Sequence, residues 1–176
     1  MFSKVLVAID GSDHAHQALE VGSDIADRYD AEMLLVHVLD ESQASSEIRE
    51  MVETEHVVTP PQYRDMFQTL VEYPPLAGSE HDTKREAYLR EIFVAAGKAI
   101  VERGKRQSHE KGVKAVHTTV LDGDPAKEIL ACATRNKVDL VVMGSRGLGT
   151  LKKLVLGSVS RKVSENAECS CLTVKL

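Results

Sequence analysis

Three apolar runs of strand length, Lys4–Ile9, Met33–Leu39 and Leu140–Met143, hold almost no polar residue. Strands written this way are covered on both faces, and that is the pattern of a parallel sheet with helices above and below it. Between the first two runs, Ser12 is a helix N-cap. Ala15, Ala18, Leu19, Gly22, Ile25 and Ala26 follow at spacings of three and four, so the first forty residues read as a βαβ unit with a right-handed crossover.

The alternation continues further along the chain. Ile92, Ala95, Ala96, Ala99 and Ile100 mark one face of a long helix expected from about Lys84, with Gly112 as its stop. Lys114–Leu121 alternates as an edge strand would. Asp124-Pro125 is an N-cap followed by proline at the first helical position, and Ala126, Ile129, Leu130 and Ala133 carry that helix. A helix opening at Ser158, with Val159, Val163 and Ala167 on one face, leads to a closing strand over Cys169–Leu176. Five strands alternating with helices define a doubly wound α/β sheet.

Residues 40–83 break the pattern. Four of the five prolines lie there, as Pro60-Pro61 and Pro74-Pro75, with two short helix-like patches (Ile48, Met51, Val52, Glu55; Met66, Phe67, Leu70, Val71). A structureless loop of that length is unusual in a compact domain. The segment is expected to be an insertion into one domain, acting as a lid, as a partner contact or as a partly disordered stretch.

The chemistry concentrates where the fourth strand ends. There the chain reads Gly144-Ser-Arg146-Gly147-Leu-Gly-Thr, and nine residues separate Gly147 from Gly157-Ser158. Glycines allow backbone N–H groups to approach an anion, and a Gly-Ser step opening a helix adds a positive dipole end. Turn shaping alone is the alternative. Neither a Walker A loop nor a Gly-x-Gly-x-x-Gly dinucleotide turn fits the order of these residues. In an open α/β sheet ligands bind beyond the carboxyl ends of strands, so Asp10, Val38 and Met143-Gly144 join the candidates. Asp10 suits a ribose hydroxyl or a phosphate-bound metal, or else serves as a helix cap. Arg146 reaches a phosphate or stays in solvent. His37 lies mid-strand and is expected to be a satisfied core histidine. His14 and His16 are two apart on a helix and cannot share a face. No Ser/His/Asp or metal cluster can be assembled. A phospho-acceptor receiver domain would need an early acidic pair and a lysine after strand five, whereas Asp10 and Asp13 are split by Gly-Ser and Lys175 falls inside the strand.

Composition narrows the partners. With a net charge of −5, 4% aromatics and no tryptophan, the chain has no basic stripe for nucleic acid beyond the small Lys152-Lys153 spot, and its core must be aliphatic. No apolar run approaches the roughly 20 residues that span a bilayer, and a cytoplasmic protein is expected. Cys169 and Cys171, two apart on a strand, are expected to be small side chains on one face rather than a redox pair.

Together these residues match a family pattern. The chain resembles the universal stress proteins, and within them the ATP-binding branch. The carriers are Val-Leu-Val-Ala-Ile-Asp10-Gly-Ser, Leu-Val-His-Val38, Gly123-Asp-Pro125, Val-Val-Met143-Gly144-Ser-Arg146-Gly147 and the distant Gly157-Ser158. The expected fold is a Rossmann-like five-stranded parallel sheet of order 3-2-1-4-5. The resemblance implies ATP with Mg²⁺ or Mn²⁺: Asp10 on the ribose or metal, the Val38 backbone on adenine, Met143 and Gly144 by the ribose, and Gly147, Gly157, Ser158 and Val159 on the phosphates. It also implies a homodimer through the last strand. One departure falls in that strand, where the family usually has Cys-Pro-Val-Leu and this chain has Cys169-Ser-Cys171-Leu; Ser170 supplies an N–H that proline lacks. The resulting expectation is a nucleotide-dependent regulatory module. Its alternative is a slow ATPase or phosphotransferase using the same site, slow because no general base stands at an assignable position.

Overall fold

The computed structural model describes residues 1–40, 80–147 and 156–176. Its elements are β1 (Lys4–Ala8), α1 (Asp13–Tyr29), β2 (Glu32–Leu39), α2 (Glu80–Glu110), β3 (Val116–Asp122), α3 (Pro125–Asn136), β4 (Leu140–Gly144), α4 (Ser158–Asn166) and β5 (Ser170–Val174). The two helix-like patches expected between residues 48 and 71, and Lys152-Lys153, lie outside the described residues.

All strand pairs are parallel, and the sheet order is β3-β2-β1-β4-β5. The chain grows outward from β1 to β2 and β3, then crosses β1 to add β4 and β5, so the topological switch lies between β1 and β4. Alternating side chains divide the core into two layers. Val5, Val7, Met33, Leu35 and Val142 pack under α1 and α2, while Leu6, Val36, Val141 and Met143 pack under α3 and α4.

Local chemistry sets the helix ends. The Ser12 hydroxyl accepts from the Ala15 N–H at the start of α1, and the Asp124 carboxylate accepts from the Lys127 N–H at the start of α3. After α2, Gly112 takes φ +100°, a conformation that side-chain-bearing residues rarely adopt.

The long helix starts earlier than its apolar pattern suggests, at Glu80, and its buried face is rotated. Ala99 is exposed, while Phe93, Gly97, Ile100, Val101, Gly104 and Ser108 face the sheet or α1. The true stripe runs through glycines and a serine, which an apolar-residue count overlooks. Ser23 donates to Ser108 at 3.0 Å, and Ser108 donates to the Gly104 carbonyl at 2.9 Å, which satisfies both buried hydroxyls. Leu130 on α3 is likewise only half-buried, Cys132 taking the inner position.

Strand β5 is one edge of the sheet. The Ser170 N–H donates to the Asp139 carbonyl at 3.2 Å, and the Val174 carbonyl accepts from Ser145 N–H at 2.7 Å. Ser170 therefore spends its extra donor inward, on the β4 side, and leaves the outer edge as a proline there would. Cys169 and Cys171 do share a face, packed against the same layer that holds Cys132. Burial pushes all three thiols above their ordinary pKa, which keeps them protonated and poorly nucleophilic.

Candidate functional site

Three chain segments meet above the carboxyl edge at the β1/β4 switch. The first is the turn after β1. Asp10 Oδ1 accepts from the Ser12 N–H at 3.0 Å and from the Ser12 hydroxyl at 2.7 Å, and Ser12 in turn caps α1. The carboxylate is thus aimed by the start of a helix, at the end of a buried strand. Its other oxygen, Oδ2, lies directly against Gly147, where any Cβ would collide with it.

The second segment is the loop after β4. Gly144 faces α1, and a Cβ there would stand 2.8 Å from His14 Cβ and 2.9 Å from the His14 backbone carbon. That closeness brings half-buried His14 to the rim of the crevice, a neighbour that reading the helix alone does not reveal. Ser145 is 2% exposed and ties the layer together: its N–H binds β5, and its carbonyl accepts from Gly157 N–H at 2.7 Å and from the Ser160 hydroxyl at 3.0 Å. Arg146 is half-buried, and its Nε is buried without an acceptor among the described residues. A donor left in that state costs about 1–3 kcal/mol until an acceptor is supplied.

The third segment is the start of α4. Gly157 has φ −68° and ψ 160°, an ordinary extended conformation. A Cβ on it would sit 3.3 Å from the Ser145 carbonyl and 3.5 Å from Arg146 Cα. Neither Gly144, Gly147 nor Gly157 has positive φ. These glycines are selected for space, not for a left-handed backbone. Because the Gly157 amide is already bound to Ser145, the helix-end donors that lack an intrahelical acceptor are those of Ser158, Val159 and Ser160. No acidic residue lies in this first turn to oppose an anion.

Val38 stands beside this group, near the end of β2, its side chain packed with the α3/α4 layer. Met143 is buried in the same layer, one residue before the loop. His37, next to Val38, is 2% exposed, and its Nδ1 lies 2.9 Å from the Ile9 carbonyl. A carbonyl only accepts, so Nδ1 carries the proton; Nε2 is buried with no partner among the described residues. The core-histidine expectation therefore holds for one ring nitrogen and not for the other.

Desolvation holds the His37 pKa below its ordinary value, against the opposing pull of the Ile9 carbonyl and the Asp10 charge. The unfolded chain takes up a proton as pH falls through the ordinary histidine range, while the folded protein does not. The contribution to stability is then complete above that range and is lost as pH drops toward the lower folded value. Melting measured from pH 7.5 to pH 5 should fall with a slope of at most about 1.4 kcal/mol per pH unit from this one proton. His37→Asn should flatten that part of the profile; an unchanged slope would assign it to other groups.

A separate depression of about 100 Å³ lies between α1 and α2, over Ile9, Ala15, Leu19 and Ile100, with Arg103 and Gln107 on its rim. Its lining shares Ile9, Gly11 and Ser12 with the segment after β1. Among the described residues no group of three or more His, Cys, Asp or Glu side chains gathers to hold a metal, so a cation here would need ligand oxygens besides Asp10. No helix of the described residues is long and apolar enough to cross a membrane.

A parallel doubly wound sheet with a glycine-lined crevice at its switch point defines the class: Rossmann-type α/β proteins, whose ligands sit at that point. Within that class, the chain belongs to the universal stress protein family, whose model matches residues 1–175. It is 35% identical over 175 residues to universal stress protein YxiE of Bacillus subtilis, covering 99% of this chain and 100% of that one. With universal stress protein MJ0531 of Methanocaldococcus jannaschii it shares 30% identity over 99% of this chain and 83% of the relative. Among solved structures, a universal stress protein in complex with cAMP superposes with a TM-score of 0.60 at 20% identity, covering 99% and 97% of the two chains. An Arabidopsis thaliana family protein with AMP bound gives a TM-score of 0.59 at 23% identity, covering 98% and 91%.

Proposed function

We propose that this chain is a nucleotide-dependent regulatory module of the ATP-binding branch, cytoplasmic and homodimeric, that holds ATP in the β1/β4 crevice and signals its occupancy. The observation that carries the reading is Gly147 seated on the Asp10 carboxylate beside the bare start of α4. The Asp10 carboxylate would offer oxygen acceptors to a ribose, and the amides at the start of α4 would offer donors to phosphates. Asp10 would take the ribose or a phosphate-bound Mg²⁺ or Mn²⁺, Met143 and Gly144 would flank the ribose, and the Val38 backbone would meet the adenine. Ser158, Val159 and Arg146 would take the phosphates, with Gly157 keeping the space beside them open. The AMP and cAMP held by family members of the same fold support an adenine nucleotide.

A ligand bound only to the folded state stabilises it by about 2.7 kcal/mol at one hundred times its dissociation constant. ATP with Mg²⁺ should therefore raise the melting temperature by several degrees. Nucleotide released on denaturing the purified protein should be adenine-based. If saturating ATP, ADP and AMP all leave the melting curve in place, the reading fails.

A further inference from the structure

The end of β2 departs from a regular ladder in a way that bears on the crevice. Pairing of β1 with β2 stops at Ala8 and Val36, whereas pairing of β2 with β3 continues to Leu39 and Asp122. Among the described residues, the last three of β2 therefore have no strand beside them on the β1 side. Their backbone directions follow from the bonds that flank them. The Val36 carbonyl accepts from Ile9 N–H at 2.9 Å, toward β1, and the Leu39 carbonyl accepts from Gly123 N–H at 3.1 Å, toward the β3 end. In a parallel strand the N–H and C=O of one residue point the same way and alternate along the chain. Val38 accordingly turns both groups toward β1.

The next rung of a regular ladder would run from Val38 N–H to the Ile9 carbonyl. That oxygen instead receives Nδ1–H of His37 at 2.9 Å. The ring has little freedom to leave it. Gly97 of α2 lies so close that a Cβ there would be 2.7 Å from His37 Cδ2, and Leu39 and Val120 close in around the same point.

We infer that His37 is a positioning residue for the crevice: its Nδ1–H caps the Ile9 carbonyl in place of the last ladder rung and leaves the Val38 N–H and C=O paired for the hydrogen-bonding edge of a purine base. The inference rests on the adenine-nucleotide reading and adds to it the residue that makes a mid-sheet backbone available to ligand. A side chain without a donor at this position would let β2 close onto Ile9 and consume the amide.

Substitutions separate the donor's position from mere bulk. The amide nitrogen of asparagine reaches where Nδ1 lies, that of glutamine reaches only as far as Nε2, and leucine has no donor. His37→Asn should bind AMP as the wild type does, whereas His37→Gln and His37→Leu should bind it about tenfold more weakly, the effect of one lost hydrogen bond. Ribose 5-phosphate, which lacks the base, should bind all four proteins equally. Amide exchange followed by NMR gives a readout that needs no variant. Val38 N–H of the wild type should exchange fast without ligand and become protected on adding AMP. A slow Val38 amide in the ligand-free protein, or AMP affinity equal in the wild type, His37→Gln and His37→Leu, would overturn the inference while leaving the nucleotide site standing. Failure of the wild type to bind AMP or ATP at all would remove both.

Discussion

Gly147→Val is expected to abolish the nucleotide-dependent rise in melting temperature while the protein still unfolds in one cooperative step. The backbone of Gly147 has no positive φ, so valine is not excluded by conformation. The effect is one of space. A Cβ at this position runs into Asp10 Oδ2, so either the carboxylate swings away from its place beside Ser12 or the loop lifts off the turn. Either movement would separate the proposed ribose contact from the proposed phosphate contact. Gly147 is exposed, and overpacking of this kind typically costs about 1–3 kcal/mol, so the fold should survive. The full stabilisation by ligand, about 2.7 kcal/mol at one hundred times the dissociation constant, should disappear. Calorimetry checks it directly: undiminished ATP affinity in the valine variant would show that Gly147 serves the turn and not the ligand.

Thr173→Pro is expected to turn a dimer into a monomer. On β5, Ser170 and Val174 direct their backbone groups toward β4, through the bonds to Asp139 and Ser145. By alternation Cys171 and Thr173 direct theirs outward, on the side where the described residues place no further strand. Unpaired N–H and C=O groups on a strand of half-buried apolar residues recruit a second strand, and the resemblance implies that a copy of the same strand fills this role. A proline at 173 deletes an outward donor and breaks none of the bonds to β4, so the monomer loses little. In a symmetric pair the same donor is lost twice. Light scattering at micromolar concentration decides the matter. A monomeric wild type would sink the dimer, and a dimeric Thr173→Pro would move its interface away from this edge.

The sequence by itself determined the layer order and the position of the crevice. Unbroken aliphatic runs at Lys4–Ile9, Met33–Leu39 and Leu140–Met143 can be buried only between helices, and the caps at Ser12 and Asp124 mark where those helices begin. Glycines after the fourth strand and before the last helix identify the loops that allow close approach. What those glycines avoid was decided only by the tertiary structure. That Gly147 rests on Asp10, that Gly144 brings His14 to the rim, and that the Gly157 amide is taken by Ser145 all depend on segments far apart in the chain. The buried face of α2 was hidden for the same reason, since Gly97 and Gly104 carry no hydrophobic signal yet fit where the helix presses closest to the sheet. His37 shows the divide most clearly. Its apolar neighbours predict burial, but whether its donor faces another side chain or the Ile9 carbonyl depends on β1 stopping three residues before β2 does. Periodicity records which side of a strand is buried; it holds no information about where the neighbouring strand ends.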